Sequence, residues 1–252
     1  MTDKKHQAFG IDIGGSGIKG AVVDLETGDL VTDRERVPTP QPSTPKAVAE
    51  IVAQIMRDQN WSGPAGATFP AIIKNGTARS AANVDPSWVG VDVDKTFTEA
   101  SGTPVAVLND ADAAGLAEVR FGAAKGVSGV VLVLTFGTGI GSGLFIDGRL
   151  VPNTELGHVE LDGHDAERRA SSAVRDRHEL SWEKWAERVQ HYMAHIEALF
   201  SPDLFVVGGG VSKKADKWVP HLDLQAPVRP AELLNNAGIV GAALAVDERL
   251  GE

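Results

Sequence analysis

Apolar and polar positions alternate over three short stretches at the start of the chain. Residues 8–13 are apolar and end in Gly14-Gly15, residues 18–25 follow, and after the turn Glu26-Thr27-Gly28-Asp29 residues 30–37 alternate charged with apolar side chains. Period-two alternation bounded by glycine and turn residues predicts strands, so the chain opens as a meander. Residues 38–45 hold four prolines and predict a surface loop. Ser43-Thr44-Pro45 then offers a cap and a first-turn proline for a helix to about Gln59, with Val48, Ile51, Val52 and Ile55 on one face. Residues 65–73 are strand-rich, Lys74-Asn75-Gly76 is a turn, 77–91 reads as loop and 94–101 as helix. A short buried strand at 105–108 delivers Asn109-Asp110 to a helix over 111–121.

The opening plan then recurs roughly half the chain later. A strong strand at 127–135 meets the glycine-rich turn 136–143, a strand at 144–146, the turn Asp147-Gly148 and then Leu150-Val151. An amphipathic helix is expected over 181–199, with Trp185, Val189, Tyr192, Met193, Ile196 and Leu199 on its apolar face, where packing in the core is the first expectation and a subunit contact the second. A buried strand at 204–207 ends in Gly208-Gly209-Gly210, and 236–250 reads as a helix. Residues 162–177 are dense in charge and show no strand period. A duplicated strand meander with helices between predicts an α/β fold of two similar lobes. The expected division is residues 1–108 plus 237–252 in the small lobe and 109–236 in the large one.

Composition narrows the chemistry. The 252 residues carry 34 acidic and 24 basic side chains, a formal net charge of −10, which argues against nucleic acid as a partner. There is no cysteine, so disulfides, thiolate nucleophiles and cysteine-ligated zinc are excluded. No export segment and no apolar run of about 18 residues is present, so no membrane insertion is expected and the cytoplasm is the expected location. What remains prominent is three glycine-rich turns, at 12–19, 135–143 and 208–212, each ending an apolar strand. Such a turn presents backbone N–H groups suited to phosphate oxygens, although it also closes ordinary hairpins. None has the spacing of a P-loop or a dinucleotide fingerprint.

Asp12-Ile-Gly-Gly-Ser-Gly-Ile-Lys19, Leu108-Asn-Asp-Ala-Asp112, Leu134-Thr-Phe-Gly-Thr-Gly-Ile-Gly-Ser-Gly143, Glu155-Leu-Gly-His158 and Val207-Gly-Gly-Gly-Val-Ser212 occur in this order. Together they resemble the sugar kinases of the ROK (repressor, open reading frame, kinase) family. Ala67-Thr-Phe-Pro70, Ala82-Asn-Val-Asp-Pro-Ser-Trp88 and Glu167-Arg-Arg-Ala-Ser171 are most similar to its polyphosphate-using glucokinases. The resemblance implies an actin-like, ribonuclease-H-type fold with a cleft between the lobes, a homodimer, and phosphorylation of glucose at its 6-hydroxyl by polyphosphate, with ATP as a second donor. Many members carry a cysteine-rich zinc motif just after the Gly-His pair; it is missing here, so no zinc is carried over.

The same resemblance assigns residues to roles. Asp110 becomes the general base, and its chemistry fits: a carboxylate delivered by a buried strand accepts a hydroxyl proton as the phosphoryl bond forms. A plainer role for Asn109-Asp110 is to cap the following helix. Asn83, Asn109, Asp110, Glu155, His158 and Glu167 form the implied sugar pocket. Glu155 and His158, three residues apart, face one way on a helical turn and pair an acceptor with a ring donor, as vicinal hydroxyls require. Asp12 is expected on magnesium, directly or through water. Gly14, Gly15, Ser16, Gly17 and Lys19 form the first phosphate loop; Thr135, Gly137, Thr138 and Gly139 form the second. Gly209 and Gly210 lie where ATP-using relatives hold the nucleoside. Two basic clusters could guide a polyanion: Arg168, Arg169, Arg175 and Arg177, and Lys213, Lys214 and Lys217. The alternatives are an ATP-only glucokinase or broader hexokinase, a silent sugar-binding protein, and the family's repressor branch; the last is not expected, because the first phosphate loop begins at Asp12.

Overall fold

The computed structural model of the chain describes residues 6–81 and 84–250, so Asn83 lies outside the described residues. Two compact units are formed, one by Met1–Ala117 with Asn235–Glu252 and the other by Glu118–Leu234.

The first unit contains β1 (Gln7–Ile13), β2 (Ile18–Asp24), β3 (Glu35–Val37), α1 (Pro45–Asp58), β4 (Ala65–Phe69), the two-residue strands β5 (Ile73–Lys74) and β6 (Thr77–Ala78), α2 (Val93–Ser101) and β7 (Val105–Asn109). Helix α3 (Asp110–Arg120) crosses the unit boundary. The second unit holds β8 (Val130–Phe136), β9 (Ile140–Ile146), β10 (Arg149–Val151), β11 (Glu160–Leu161), β12 (His164–Asp165), α4 (Glu167–Ala170), α5 (Ser172–Arg177), α6 (Trp182–Phe200), β13 (Leu204–Gly208) and β14 (Val228–Pro230). Helix α7 (Ala237–Leu250) belongs to the first unit.

The duplication expected from the sequence is present strand for strand. The sheets run β3-β2-β1-β4-β7 and β10-β9-β8-β13-β14. In each, an antiparallel meander of three strands is extended by two parallel ones. Strands β4, β7 and β13 are buried along their whole length, as continuous apolar runs in parallel sheets require. The Thr44 side chain caps α1 and Pro45 opens it. In the first core Phe69 packs on Trp88 with ring centroids 4.4 Å apart, and the Trp88 indole donates to the Ser43 carbonyl at 2.8 Å. In the second, Phe136 sits among Trp185, Tyr192 and Trp218. The apolar face of α6 is spent on this core, leaving only Leu199 substantially exposed at 60%. No helix among the described residues is long and apolar enough to cross a membrane.

Three local expectations change. β9 begins at Ile140 rather than Leu144, because Gly141, Ser142 and Gly143 pair with Thr135, Leu134 and Val133, which shortens the turn to 137–139. The third opening strand is only Glu35–Val37, with Leu30 making an isolated bridge to Val23. The charged segment 162–177 contains α4 and α5.

Helix α7 lies on β1 and β4 at backbone distance. A methyl added at Gly10 would collide with the Ile239 carbonyl, one at Gly66 with the Ala242 carbonyl, and one at Gly241 with the Ala113 carbonyl of α3. Replacing Gly66 with Ala is expected to lower the unfolding free energy by about 1–3 kcal/mol in denaturant titrations. Gly15, which has nothing within 4 Å of the equivalent position, should accept Ala with a change below about 0.5 kcal/mol.

Candidate active site

In the first unit the polar groups gather at the carboxyl ends of β1, β4 and β7, the edge where ligands bind in open α/β sheets. Asp12 pairs in register with Lys19, and the Lys19 ammonium lies 2.9 Å from Asp12 Oδ2. Thr68 on β4 donates from Oγ1 to Asp12 Oδ1 at 3.2 Å and accepts from the Ile13 N–H at 3.0 Å. Both carboxylate oxygens of Asp12 are therefore held. The turn beyond is closed by Gly14 N–H to the Gly17 carbonyl at 3.1 Å and by the Thr39 hydroxyl donating to the Gly14 carbonyl at 2.5 Å. Arg36 donates to the Ser16 carbonyl at 3.1 Å. With the Gly14, Ser16 and Gly17 carbonyls occupied, the N–H groups of Gly15 and Ser16 donate to no described residue. A cavity of about 290 Å³ lies beside this turn, floored by Ile13, Val48 and Phe69 and walled by Thr39, Ser43 and Asp85.

At the end of β7 Asn109 is buried, and its Oδ1 accepts from the Ala111 and Asp112 N–H groups at 2.8 and 3.2 Å. Its Nδ2 donates to the Ala71 carbonyl at 3.2 Å. Asn109 is thus the cap of α3, and the plainer of the two roles open for the Asn-Asp pair falls on it. Asp110, one residue on, is exposed in the first turn, with Oδ1 accepting from the Ala111 N–H at 2.9 Å. The cap fixes the backbone beneath an exposed carboxylate.

In the second unit the turn 137–139 is braced from both sides by the charged segment 162–177. Gly137 N–H donates to the Gly139 carbonyl at 2.9 Å, and the Gly137 carbonyl accepts from Ser172 Oγ at 2.9 Å and the Ala173 N–H at 3.1 Å, both on α5. Glu167 on α4 accepts from the Ile140 N–H at 3.1 Å. The Thr138 and Gly139 N–H groups donate to no described residue. Gly208 pairs in register with Thr135, and Gly209, at φ 82°, backs onto the Phe136 carbonyl, so the second and third glycine turns adjoin. The third opens directly into a 3-10 segment, Gly210–Lys217.

Glu155, His158 and Glu167 are brought together. Glu155 precedes a 3-10 turn, Leu156–His158, that is stitched to β9 by Leu156 N–H donating to Ser142 Oγ at 3.0 Å. His158 Nε2 is 4.0 Å from Glu155, and Nδ1 is 3.9 Å from Glu167 and 3.6 Å from Asp165. Asp165 is the member that sequence reading missed. It is returned to His158 by the hairpin β11–β12, whose two-residue turn Asp162-Gly163 has both φ angles positive, 52° and 75°. Asp-Gly is the signature of such a turn, so the signal was available. Burial raises the Glu155 carboxyl above its ordinary value; His158 opposes that shift and Glu167 adds to it. Burial likewise raises the hydroxyl of Tyr192, reinforced by the charge of Glu167.

The sequence pattern of the ROK family matches residues 8–172. The chain belongs to the ROK family. It is 53% identical over 97% of its length to the polyphosphate glucokinase of Mycobacterium tuberculosis, of which it covers 92%. Among solved structures, the inorganic polyphosphate/ATP-glucomannokinase of Arthrobacter sp. strain KM matches with a TM-score of 0.92 and 54% identity, over 97% of this chain and 100% of that one. A ROK family glucokinase from Streptomyces griseus, in complex with glucose and AMPPNP, matches with a TM-score of 0.82 and 25% identity, over 95% and 98% of the two chains. The two-sheet α/β architecture expected from the sequence is the fold of these ROK proteins.

Glu167 serves two neighbours in this ROK protein, the Ile140 N–H and His158. Glu167→Ala is expected to loosen the turn 137–139, with local protection of the Ile140 amide falling by about 1–2 kcal/mol in hydrogen exchange. Glu167→Gln keeps an acceptor and should retain most of that protection.

Proposed function

We propose that this ROK protein transfers the terminal phosphoryl group of inorganic polyphosphate to the 6-hydroxyl of glucose, and that ATP serves as a second donor. The observation that carries this reading is Asp110, an exposed carboxylate on a capped helix start, in a chain 53% identical over nearly its full length to a polyphosphate glucokinase. Asp110 accepts the hydroxyl proton as the oxygen attacks in line, which spares the reaction a charged alcohol intermediate. Glu155 and His158 offer an acceptor and a ring nitrogen to neighbouring sugar hydroxyls, and the Glu167 and Asp165 carboxylates both lie near the imidazole Nδ1. Asn109 contributes the amide proton that its cap leaves over, and Asn83 completes the proposed set. The N–H groups of Gly15, Ser16, Thr138 and Gly139 receive phosphoryl oxygens whose charge grows in the transition state.

Asp12 fits magnesium. Magnesium is commonly held by one or two carboxylates together with donor phosphates and water, and Asp12 is a fixed, part-buried oxygen donor at the mouth of the first turn. When bound, the cation supplies neutralisation of the donor's phosphate charge. Mannose is proposed as a second acceptor, supported by the name of the Arthrobacter glucomannokinase.

A coupled assay for glucose 6-phosphate, run on one sample with long-chain polyphosphate and with ATP, tests the donor reading; activity with ATP alone would leave an ATP-only glucokinase. Asp110→Asn is expected to lower kcat by about 10²–10⁴-fold with either donor while glucose still binds. Wild-type turnover in that variant would remove Asp110 from the mechanism. Ionised Glu155 is the stronger acceptor for a sugar hydroxyl, so glucose binding weakens as pH falls through its raised value. The acid limb of glucose affinity should therefore lie above the ordinary glutamate value of about 4.3, and should disappear in Glu155→Gln.

A further inference from the structure

The two basic clusters of the second unit are equivalent in sequence and different in structure. Residues 162–177 hold four arginines and, with them, four acids, Asp162, Asp165, Glu167 and Asp176. Arg168 lies 3.6 Å from Asp165, Arg169 3.8 Å from Asp162, and Arg175 2.8 Å from Asp176. The Arg175 guanidinium is also stacked 3.8 Å over the Trp182 ring. This cluster is largely neutralised by its own neighbours.

Lys213, Lys214 and Lys217 are all exposed and form no ion pair with any described residue. Within residues 213–217 only Asp216 opposes them. Their backbone is nonetheless fixed. Val211 and Ser212 are buried, Ser212 Oγ donates to the Gly209 carbonyl at 2.8 Å, and the buried Trp218 donates from its indole to the Val211 carbonyl at 3.2 Å. The lysines therefore form an exposed basic segment anchored at both ends, kinked at Lys214, on a chain whose net charge is −10. That segment leads away from the third glycine turn, which adjoins the second through the Gly208–Thr135 pairing and the seat of Gly209 on Phe136.

We infer that Lys213, Lys214 and Lys217 form a subsite for the polyphosphate chain beyond the phosphoryl group being transferred. The inference rests on the donor reading above and extends it. ATP ends its charge after three phosphates and continues as a nucleoside, whereas polyphosphate carries further anionic residues that need cations along their path. Exposed cations act over a Debye length of about 8 Å at physiological ionic strength, so the subsite is salt-sensitive and local.

The test compares the wild type with a Lys213→Gln, Lys214→Gln, Lys217→Gln triple variant, using long-chain polyphosphate, tripolyphosphate and ATP. KM for long-chain polyphosphate is expected to rise roughly tenfold, three exposed charge contacts each contributing a few-fold. Its dependence on salt should flatten, with the log–log slope falling by up to about two. KM for ATP, tripolyphosphate and glucose should stay within twofold, which also shows that the variant is folded. Arg169→Gln with Arg177→Gln should leave all four values unchanged. The inference is overturned if the triple variant keeps the wild-type KM and salt slope for long chains, or if ATP and long chains weaken equally. Wild-type protein that uses ATP but no polyphosphate would overturn the donor reading itself, and this inference with it.

Discussion

Main-chain carbonyls of α7 lie directly against the Cα atoms of Gly10 and Gly66, and the Gly241 Cα lies against a carbonyl of α3, so that no side chain separates helix from sheet. Contacts of this kind make an added methyl costly and fix position closely, because packed backbone has no rotamer to change. Their effect is felt at the strand ends. Asp12, Thr68 and Asn109 sit on three adjacent strands of one sheet, and each is locked by its neighbours: Asp12 by Lys19 and Thr68, Thr68 by Ile13, and Asn109 by Ala71 and the start of α3. Asp110 gains a defined position without being buried, because the side chain before it does the anchoring.

The second unit reaches the same end by other means. Its glycine turn is supported by an aromatic core from below and by the charged segment from outside, where α4 and α5 occupy the amide of Ile140 and the carbonyl of Gly137. With the Gly137 and Gly139 carbonyls taken, the Thr138 and Gly139 amides are left over, which is the condition for receiving an anion on a protein that is itself acidic. Binding thus depends on where partial charges are left over rather than on the overall balance of charge.

The parts legible in the sequence were those specified locally. Thr44-Pro45 announced α1, the apolar runs announced β4, β7 and β13, and the glycine turns announced the repeated meander. β14 escaped because three residues, one of them proline, become a strand only by lying beside β13. The first half of β9 escaped because Gly141 and Gly143 have little strand propensity of their own and are held by the register with β8. The bracing role of Glu167 required knowing that 162–177 folds back on the turn after β8, which no periodicity encodes. The contrast between the arginine and lysine clusters was invisible for the same reason: it lies in which carboxylates the fold brings within reach.

Phe136 is the last residue of the strand that feeds the second glycine turn, and its ring lies 5.7 and 5.8 Å from the indoles of Trp185 and Trp218. Any shift in that turn is therefore transmitted to two buried chromophores through a single edge-on ring. Two of the chain's five tryptophans thus pack on the residue that ends the strand.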